Sequence, residues 1–289
     1  MTHPKSPSSL PLALGRLIRP VNCLMMGLAV IVGEVAIAGG LPSLPQAIFG
    51  FLVSFLLAGS SMVINDIIDL QIDMVNEPHR PLPSGAVSTG SARAFAAVLT
   101  IAGILSAAAL SLSALAVAVA TFFVSLAYNL YGKRLGLPGN LMVAFCIAVP
   151  FLFGGMAVST LLDVNVAVFF LLAFLASVGR EVTKGMADME GDRLRGIRTV
   201  ALANGTRVAA ILSAAFYMSA VAITPFPYLT GNLGIYYLAI VLVVDAGFAY
   251  SSISILRRQD RPAALTVKRE VRVWMLLALL AFLAGGLTS

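Results

Sequence analysis

Long apolar runs alternate with short polar connections from residue 20 to the end of the chain. A helix that crosses a bilayer needs about 17–25 mostly apolar residues. The runs of this length predict nine spanning helices, at residues 21–41, 44–68, 91–112, 114–130, 140–160, 163–182, 206–228, 235–256 and 271–287. Residues 1–15 are polar, rich in Pro and Ser, and lack the apolar run of a cleavable signal peptide. We expect them to form a flexible tail before a single membrane domain at 16–289.

Composition and charge indicate an all-α membrane protein with a defined orientation. Of the residues, 59% are hydrophobic and the mean hydropathy is +0.96, whereas soluble domains are about 45–50% apolar. All 19 Lys and Arg residues fall on one side of the nine predicted helices. Because positive residues accumulate in cytoplasmic loops, we expect a multi-pass protein of the cell membrane with a cytoplasmic N-terminus and Ser289 outside.

The same charge asymmetry limits the partners that the chain is expected to bind. The net charge of +6 favours anionic lipid and phosphate, and it gives no reason to expect nucleic acid. The two Cys and two His residues are not spaced as metal ligands. No feature of the sequence indicates an obligate protein partner.

Glu34 and Asp245 lie well inside predicted spanning helices, the first and the eighth. A charged Asp at the centre of a membrane helix costs about 2.5–3.5 kcal/mol on insertion scales. We interpret both residues as partners in interhelical hydrogen bonds rather than as functional acids.

The end of the second predicted helix carries the first group of acidic residues. On a helix Asn65, Asp69 and Asp73 are spaced i, i+4, i+8, and Asp66 precedes Asp69 by three residues, so these side chains share one face. Carboxylate and amide oxygens are hard ligands that suit Mg²⁺, which also binds substrate phosphates. The alternative is a solvated acidic helix end.

Basic residues follow this acidic group in two polar segments. The segment 75–85 contains three prolines and a glycine, which exclude a continuous helix, and its Arg80 is a candidate phosphate ligand. We expect this segment to cover the entrance to a site. Tyr128 and Lys133 end the fourth helix, where an interfacial anchor is the alternative to a diphosphate donor.

A second acidic group lies at the end of the sixth predicted helix. Asp188 and Asp192 are spaced i, i+4, and Arg180 and Lys184 continue the same face upstream. A ladder of intrahelical salt bridges is the alternative to a site. However, the two acidic groups lie four helices apart and both end even-numbered helices. This offset predicts two four-helix repeats, at about 16–138 and 139–256, with a ninth helix, around a central cavity with a cytoplasmic cap.

Two facing groups of aspartates would hold two or more Mg²⁺ ions and, through them, a diphosphate. Basic residues would bind the remaining phosphate oxygens. In a membrane the rest of such a substrate is a long apolar chain, and the chemistry that needs both parts is ionisation of an allylic isoprenyl diphosphate. An ion or phosphate transporter with its site between repeats is an alternative of another class.

At these residues the sequence resembles the UbiA superfamily of intramembrane prenyltransferases. The matching elements are Asn65-Asp66-x-x-Asp69-x-x-x-Asp73 with the following Arg80-Pro-Leu-Pro-Ser-Gly, the Tyr128…Lys133 pair, Asp188-x-x-x-Asp192, and Arg19-Pro-x-Asn22. The resemblance implies Mg²⁺-dependent transfer of a polyprenyl group. It also implies catalytic roles for Asp66, Asp69, Asp73, Asp188 and Asp192. The implied metal ligands are Asn65, Asp69, Asp73, Asp188 and Asp192. The implied substrate-binding residues are Asn22, Arg80, Tyr128, Lys133, Arg180 and Lys184.

Within the superfamily the stretch 180–192 is most similar to the archaeal ether-lipid branch, the digeranylgeranylglyceryl phosphate synthases. Their activity implies an isoprenyl diphosphate donor and the lipid acceptor geranylgeranylglyceryl phosphate, both taken from the membrane. Gly185 and Ala187 depart from that branch, in which acidic residues are common at these positions. The alternative acceptor is an aromatic quinone precursor such as 4-hydroxybenzoate.

Overall fold

The computed structural model describes residues 10–159, 163–194 and 196–288, and within these ranges every regular element is a helix. Nine segments of the described chain are long and apolar enough to cross a membrane; eight are single helices, and one combines α11 with α12. Their bounds are α2 (Pro20–Ala38), α3 (Leu44–Ile68), α5 (Thr89–Leu110), α6 (Leu112–Leu130), α7 (Leu137–Val158), α8 (Val164–Ala187), α11 with α12 (Thr206–Ile223 and Phe226–Leu229), α13 (Ile235–Arg257) and α14 (Arg261–Leu287). The prediction of an all-α membrane protein with nine spanning helices is confirmed.

The other helices are short, and they lie before or after spanning helices at one end of the bundle. They are α1 (Leu10–Leu17), α4 (Leu70–Asn76), a 3-10 turn (Gly132–Leu135), α9 (Met189–Leu194) and α10 (Val200–Asn204). In α1 the side chains of Ala13 and Leu17 are buried against α3 and α5. The predicted flexible tail is therefore wrong for residues 10–15, and residues 1–9 lie outside the described part of the chain.

Two spanning helices are longer than their apolar runs indicated. Helix α8 continues to Ala187 and α14 begins at Arg261, ten residues before the predicted start. At α14, the side chain of Asp260 accepts a hydrogen bond from the Ala263 backbone N–H, and this bond holds the pKa of Asp260 below its ordinary value. Pro262 occupies the first turn, where its missing N–H costs nothing. These capping residues start a helix that hydropathy alone does not detect.

Glycines allow α2 and α7 to cross at close range. A Cβ atom at Gly154 would collide with the Val30 carbonyl oxygen, and one at Gly33 would collide with the carbonyl oxygen of Phe151. Small residues at such crossings let two helix backbones approach closely within a membrane. The crossing places α2 against the second half of the bundle, and α14 packs on α13, α8 and α2.

An apolar chamber lies within the bundle between six helices, α2, α7, α8, α11, α13 and α14. Its walls include Met25, Phe151, Ala176, Val244, Met275 and Phe282. It corresponds to the predicted central cavity, although α3, α5 and α6 do not line it.

Asp245 and Glu34, for which the sequence predicted the same role, differ in their hydrogen bonding in the structure. Thr224 Oγ1 donates a hydrogen bond of 2.7 Å to Asp245 Oδ2 and so joins α11 to α13, as predicted. Glu34 is fully buried against Gly50 of α3, and neither of its oxygens has a hydrogen-bond partner among the described residues. The predicted interhelical hydrogen bond of Glu34 is therefore wrong within the described residues, and Gly50, which the carboxylate approaches, has no side-chain donor to offer it.

Candidate active site

The first acidic group continues the register of α3 past the end of that helix. Although α3 ends at Ile68, the Asp69 N–H donates to the Asn65 carbonyl at 2.9 Å and the Asp73 N–H donates to the Asp69 carbonyl at 2.9 Å. The predicted i, i+4, i+8 face is therefore kept through α4. Asp66 and Asp73 are each only 3% exposed.

Three cations from other parts of the chain bind the three aspartates. Arg19 Nη2 lies 2.6 Å from Asp66 Oδ1. Arg80 Nη1 lies 2.7 Å from Asp73 Oδ2, and Lys133 Nζ lies 2.7 Å from Asp69 Oδ2. These cations offset the like-charge repulsion that three adjacent carboxylates produce.

That the predicted segment 75–85 covers the entrance to a site remains a prediction. Residues 75 and 76 belong to α4, and the others lie in the loop 77–88. Its residues form turns rather than a helix, and Arg80 points back to Asp73 and lies 3.7 Å from Asp66. Burial raises the pKa of the Asp73 carboxyl above its ordinary value, while the charge and hydrogen bond of Arg80 oppose that shift. His79 of the same loop is exposed.

Arg19 is a site residue that the sequence analysis did not assign. It has φ 50° and ψ 71°, and it is the only non-glycine residue with a positive φ in the described part of the chain. Residues held in this region cost about 1–3 kcal/mol and often occur at functional sites. The Arg19-Pro20 dipeptide was a usable signal, because it marks the end of α1 and the first turn of α2 beside Asp66.

The second acidic group is also continuous with its helix. The Asp188 N–H donates to the Lys184 carbonyl at 3.0 Å, and the Asp192 N–H donates to the Asp188 carbonyl at 2.9 Å, so the predicted face continues beyond α8. The described ion pairs of Arg180 and Lys184 go instead to Glu181, at 3.0 and 3.2 Å.

Glu181 is a second residue that the sequence analysis did not assign. It is 7% exposed and lies between the two cations on α8. The alternative to a site, a ladder of salt bridges from Arg180 and Lys184 to Asp188, is not seen among the described ion pairs. Arg180, Glu181 and Lys184 form a compact triad instead, and Asp188 lies outside it. A Glu beside Arg180 was visible in the sequence, but its burial was not.

Tyr128 lies between the two groups. It interacts electrostatically with Asp69 on one side and with Lys184, Glu181 and Asp192 on the other. The loops of the two halves also touch, since a Cβ atom at Gly136 would collide with the carbonyl oxygen of Arg198. The structure thus brings the two acidic groups together at one end of the bundle, which we call the charged end.

Two further residues border the charged end from α2 and α14. Asn22 is half-buried in the first turn of α2, one turn before Met25 of the apolar chamber. Lys268 of α14 is half-buried and interacts electrostatically with Asp188, Lys184, Arg180 and Glu181. The sequence analysis did not single out Lys268, because its helix was predicted to begin after it.

The two departures from the archaeal branch, Gly185 and Ala187, are both buried in α8. A Cβ atom at Gly185 would lie 3.3 Å from Thr199 Cβ. Ala187 is 2% exposed in an apolar cluster with Ala264 and Val267 of α14. Small side chains fit this packing at both positions.

The donor set fits a hard divalent cation in its chemistry. Among the described residues, no three carboxylate, thiol or imidazole groups converge into a ready-made ion site. However, Asp66, Asp69 and Asp73 each give one oxygen to a cation, and the other oxygen makes no hydrogen bond within the described ranges. Each aspartate therefore retains an oxygen for a metal ion.

Comparison with known proteins identifies the family. The model of the UbiA prenyltransferase family matches residues 26–280. The chain belongs to the UbiA prenyltransferase family. It is therefore a membrane-embedded prenyltransferase, and the transporter hypothesis is wrong.

Relatives of this UbiA chain cover almost its full length. The digeranylgeranylglyceryl phosphate synthase of Thermococcus kodakarensis is 37% identical over 93% of this chain and 96% of its own. The enzyme of the same name from Methanopyrus kandleri is 38% identical over 93% of this chain and 97% of its own.

Solved structures of similar proteins share the fold. One, from work on digeranylgeranylglyceryl phosphate synthase in membranes, has a TM-score of 0.78 at 30% identity and covers 98% of this chain and 100% of its own. A UbiA homolog from Archaeoglobus fulgidus bound to GPP and Mg²⁺ has a TM-score of 0.68 at 15% identity, covering 93% and 99%. This second likeness shows the fold alone.

Proposed function

We propose that this prenyltransferase transfers a geranylgeranyl group from its diphosphate to geranylgeranylglyceryl phosphate, as in archaeal ether-lipid biosynthesis. The similarity to the Thermococcus and Methanopyrus synthases supports this acceptor. The observation that carries the proposal is the presence of two separate sets of cations at the charged end. Arg19, Arg80 and Lys133 surround the first acidic group, and Arg180 and Lys184 lie on α8.

Two sets of cations suit two phosphorylated substrates. In this proposal the donor diphosphate lies between the two acidic groups, where Arg80, Lys133 and Tyr128 bind it. Arg180 and Lys184 bind the phosphate of the acceptor, and Asn22 borders the reacting carbon. Charged hydrogen bonds to phosphate are about twice as strong as neutral ones, so these cations are suited to hold both anions.

The carboxylates and Asn65 are the proposed ligands of Mg²⁺. The proposed set is Asn65, Asp69, Asp73, Asp188 and Asp192, with Asp66 held in place behind it by Arg19. When bound, Mg²⁺ neutralises the charge that develops on the departing diphosphate. The protein's part is to orient that diphosphate and to keep its cations within reach of it.

The proposed reaction replaces one carbon–oxygen bond by another. The bond between C1 of the prenyl chain and the diphosphate oxygen breaks, and its electron pair stays with the diphosphate oxygen. The prenyl chain thereby becomes an allylic carbocation. The free hydroxyl oxygen of the acceptor then bonds to C1, and the hydroxyl proton leaves with the diphosphate or to water. Apolar walls such as Met25 and Phe151 below the charged end keep water from the cation.

In this proposal the apolar chains and the diphosphate use different routes. Both apolar chains enter from the membrane, while the charged end faces the cytoplasm, where soluble diphosphate is released. The orientation rests on the distribution of Lys and Arg along the sequence.

The test is transfer from labelled geranylgeranyl diphosphate by purified protein with Mg²⁺. We expect geranylgeranylglyceryl phosphate to be prenylated with release of diphosphate, and its dephosphorylated form to be a poor acceptor. Prenylation of 4-hydroxybenzoate without turnover of the glyceryl phosphate would move the protein to the aromatic branch and leave the metal site unchanged.

A further inference from the structure

One side of helix α14 carries a cation at the charged end and apolar side chains in the chamber, and we call this side the α14 stripe. Met275, Leu279 and Phe282 line the chamber. Lys268 precedes Met275 by seven residues, which is two helical turns, so it lies on the same side of α14. The cation therefore stands directly above the chamber wall.

Helix α8 repeats this arrangement. Ala173 and Ala176 line the chamber, and Arg180 and Lys184 follow Ala176 at i+4 and i+8 on the same face. Since α8 and α14 pack against each other, their two stripes form neighbouring walls of one column. The part of this column at the charged end carries cations, and the part within the chamber carries apolar side chains.

Lys268 lies near the α8 triad of Arg180, Glu181 and Lys184, but it forms no described ion pair with it. It interacts electrostatically with Lys184, Arg180, Glu181 and Asp188. No carboxylate of the described residues lies within salt-bridge distance of it, because the triad's one carboxylate is bound to the two α8 cations. One buried carboxylate thus has two cations bound to it and a third, Lys268, in its electrostatic surroundings.

We propose that α8 and α14 together form the binding site of an amphiphile with one phosphate and one isoprenyl chain, and that Lys268 completes its phosphate site with Arg180 and Lys184. This inference rests on the proposed function and locates its acceptor. The phosphate lies among the three cations, and the chain runs down the apolar chamber.

Charge and length both match such a ligand. Arg180, Lys184 and Glu181 sum to +1, and Lys268 raises the sum to +2, whereas a phosphate monoester carries about −1.5 to −2 at neutral pH. Asp188 is assigned to the metal in the proposed function. Lys268 and Phe282 are fourteen residues apart, which at 1.5 Å per residue is about 21 Å along the helix. A chain of several isoprene units fits along that distance.

Steady-state kinetics with Lys268→Gln provide the first test. We expect the KM for geranylgeranylglyceryl phosphate to rise at least about tenfold, which corresponds to one lost charged hydrogen bond. The KM for the donor and the kcat should stay within about twofold, and Lys268→Arg should restore acceptor affinity. Arg269→Gln is the matched control, because Arg269 is the adjacent residue of α14 and is exposed.

The preference for a phosphorylated acceptor provides a readout that a folding defect does not mimic. Wild type should favour the phosphorylated over the dephosphorylated acceptor, and Lys268→Gln should lose most of that preference. An unchanged acceptor KM, or an increase in the donor KM alone, would overturn the site.

Equilibrium binding separates this inference from the proposed function. Calorimetry with geranylgeranylglyceryl phosphate and nanodisc-embedded protein, without donor, should show binding that Lys268→Gln weakens. Glycerol 1-phosphate, which lacks the chain, should bind far more weakly. If wild type binds the lipid through Lys268 but never prenylates it, the proposed function fails and the site stands. If binding does not depend on Lys268, or if glycerol 1-phosphate binds equally well, the site fails.

Discussion

Arginine and lysine side chains determine how the aspartates of the charged end are held. Asp66 and Asp73 are almost completely buried, and removing the partner of a buried charge costs about 3–5 kcal/mol. Arg19 and Arg80 therefore stabilise the fold as well as the site. In the proposed function Arg80 also binds the donor diphosphate, so it would exchange a carboxylate oxygen for a phosphate oxygen when substrate binds.

Removing one carboxylate from either acidic group tests the two-part site. We expect Asp69→Asn and Asp192→Asn each to lower the transfer rate at least about 100-fold, since even mutations behind a metal ligand cost about 10–100-fold. Glu77→Gln is the control, because Glu77 is an exposed acid one turn beyond Asp73. Size-exclusion profiles in detergent check folding. Near-normal rates at saturating Mg²⁺ in either variant would contradict the proposed site.

Arg180 and Lys184 should act on the acceptor rather than on the donor. We expect Arg180→Gln and Lys184→Gln to raise the KM for geranylgeranylglyceryl phosphate about tenfold or more, because each removes a charged hydrogen bond to phosphate. Both variants also leave Glu181 with a single cation, so folding must be verified alongside the kinetics. An effect on the donor KM only would assign these cations to the diphosphate.

At the scale of elements, close helix crossings position the site. The α2–α7 crossing at Gly33 and Gly154 joins the helix that carries Asn22 to the helix that follows Lys133. The loop 77–88 places Arg80 beside Asp73, and the 3-10 turn places Lys133 beside Asp69. Rigid helices thus fix the carboxylates, and the connecting segments supply their cations.

Widening the crossing should destabilise the whole bundle. We expect Gly154→Ala to lower the unfolding temperature, with a cost of about 1–3 kcal/mol, because the new methyl group would collide with the backbone of Val30. Gly90→Ala in the first turn of α5 is the control, since a Cβ atom there has an ordinary contact at 3.8 Å. Thermal unfolding in detergent measures both. Equal unfolding temperatures would show that α2 and α7 separate without cost.

At the scale of the molecule, one end of the bundle collects the catalytic and substrate-binding candidates. This arrangement, together with the Lys and Arg distribution, predicts that the charged end faces the cytoplasm. The two four-helix repeats, 16–138 and 139–256, remain a prediction of the same kind, based on the four-helix offset between the acidic groups.

Labelling of a single cysteine tests the orientation. Ser84 is exposed in the loop over the first acidic group, and the native Cys23 and Cys146 can be replaced by alanine. We expect Ser84→Cys in that background to react with a membrane-impermeant thiol reagent only in inverted vesicles. Labelling in intact cells would place the charged end outside and reverse the predicted topology.

Local patterns in the sequence determined the spanning helices, both acidic faces and the class of reaction. Apolar length predicts a membrane helix, and the i, i+4 spacing of carboxylates survives even where α3 and α8 end, because the helical hydrogen bonds continue. The start of α14 was missed because hydropathy does not register a polar helical turn.

Only the tertiary structure decided which charges meet. Arg19 and Asp66 are 47 residues apart, and Lys133 and Asp69 are 64 apart, so no local pattern pairs them. The burial of Glu181, the lack of a hydrogen-bond partner for Glu34 among the described residues and the position of Lys268 above the chamber also depend on how distant helices pack. Sequence periodicity specifies the face of a helix on which a side chain lies, whereas the neighbour of that face follows from packing.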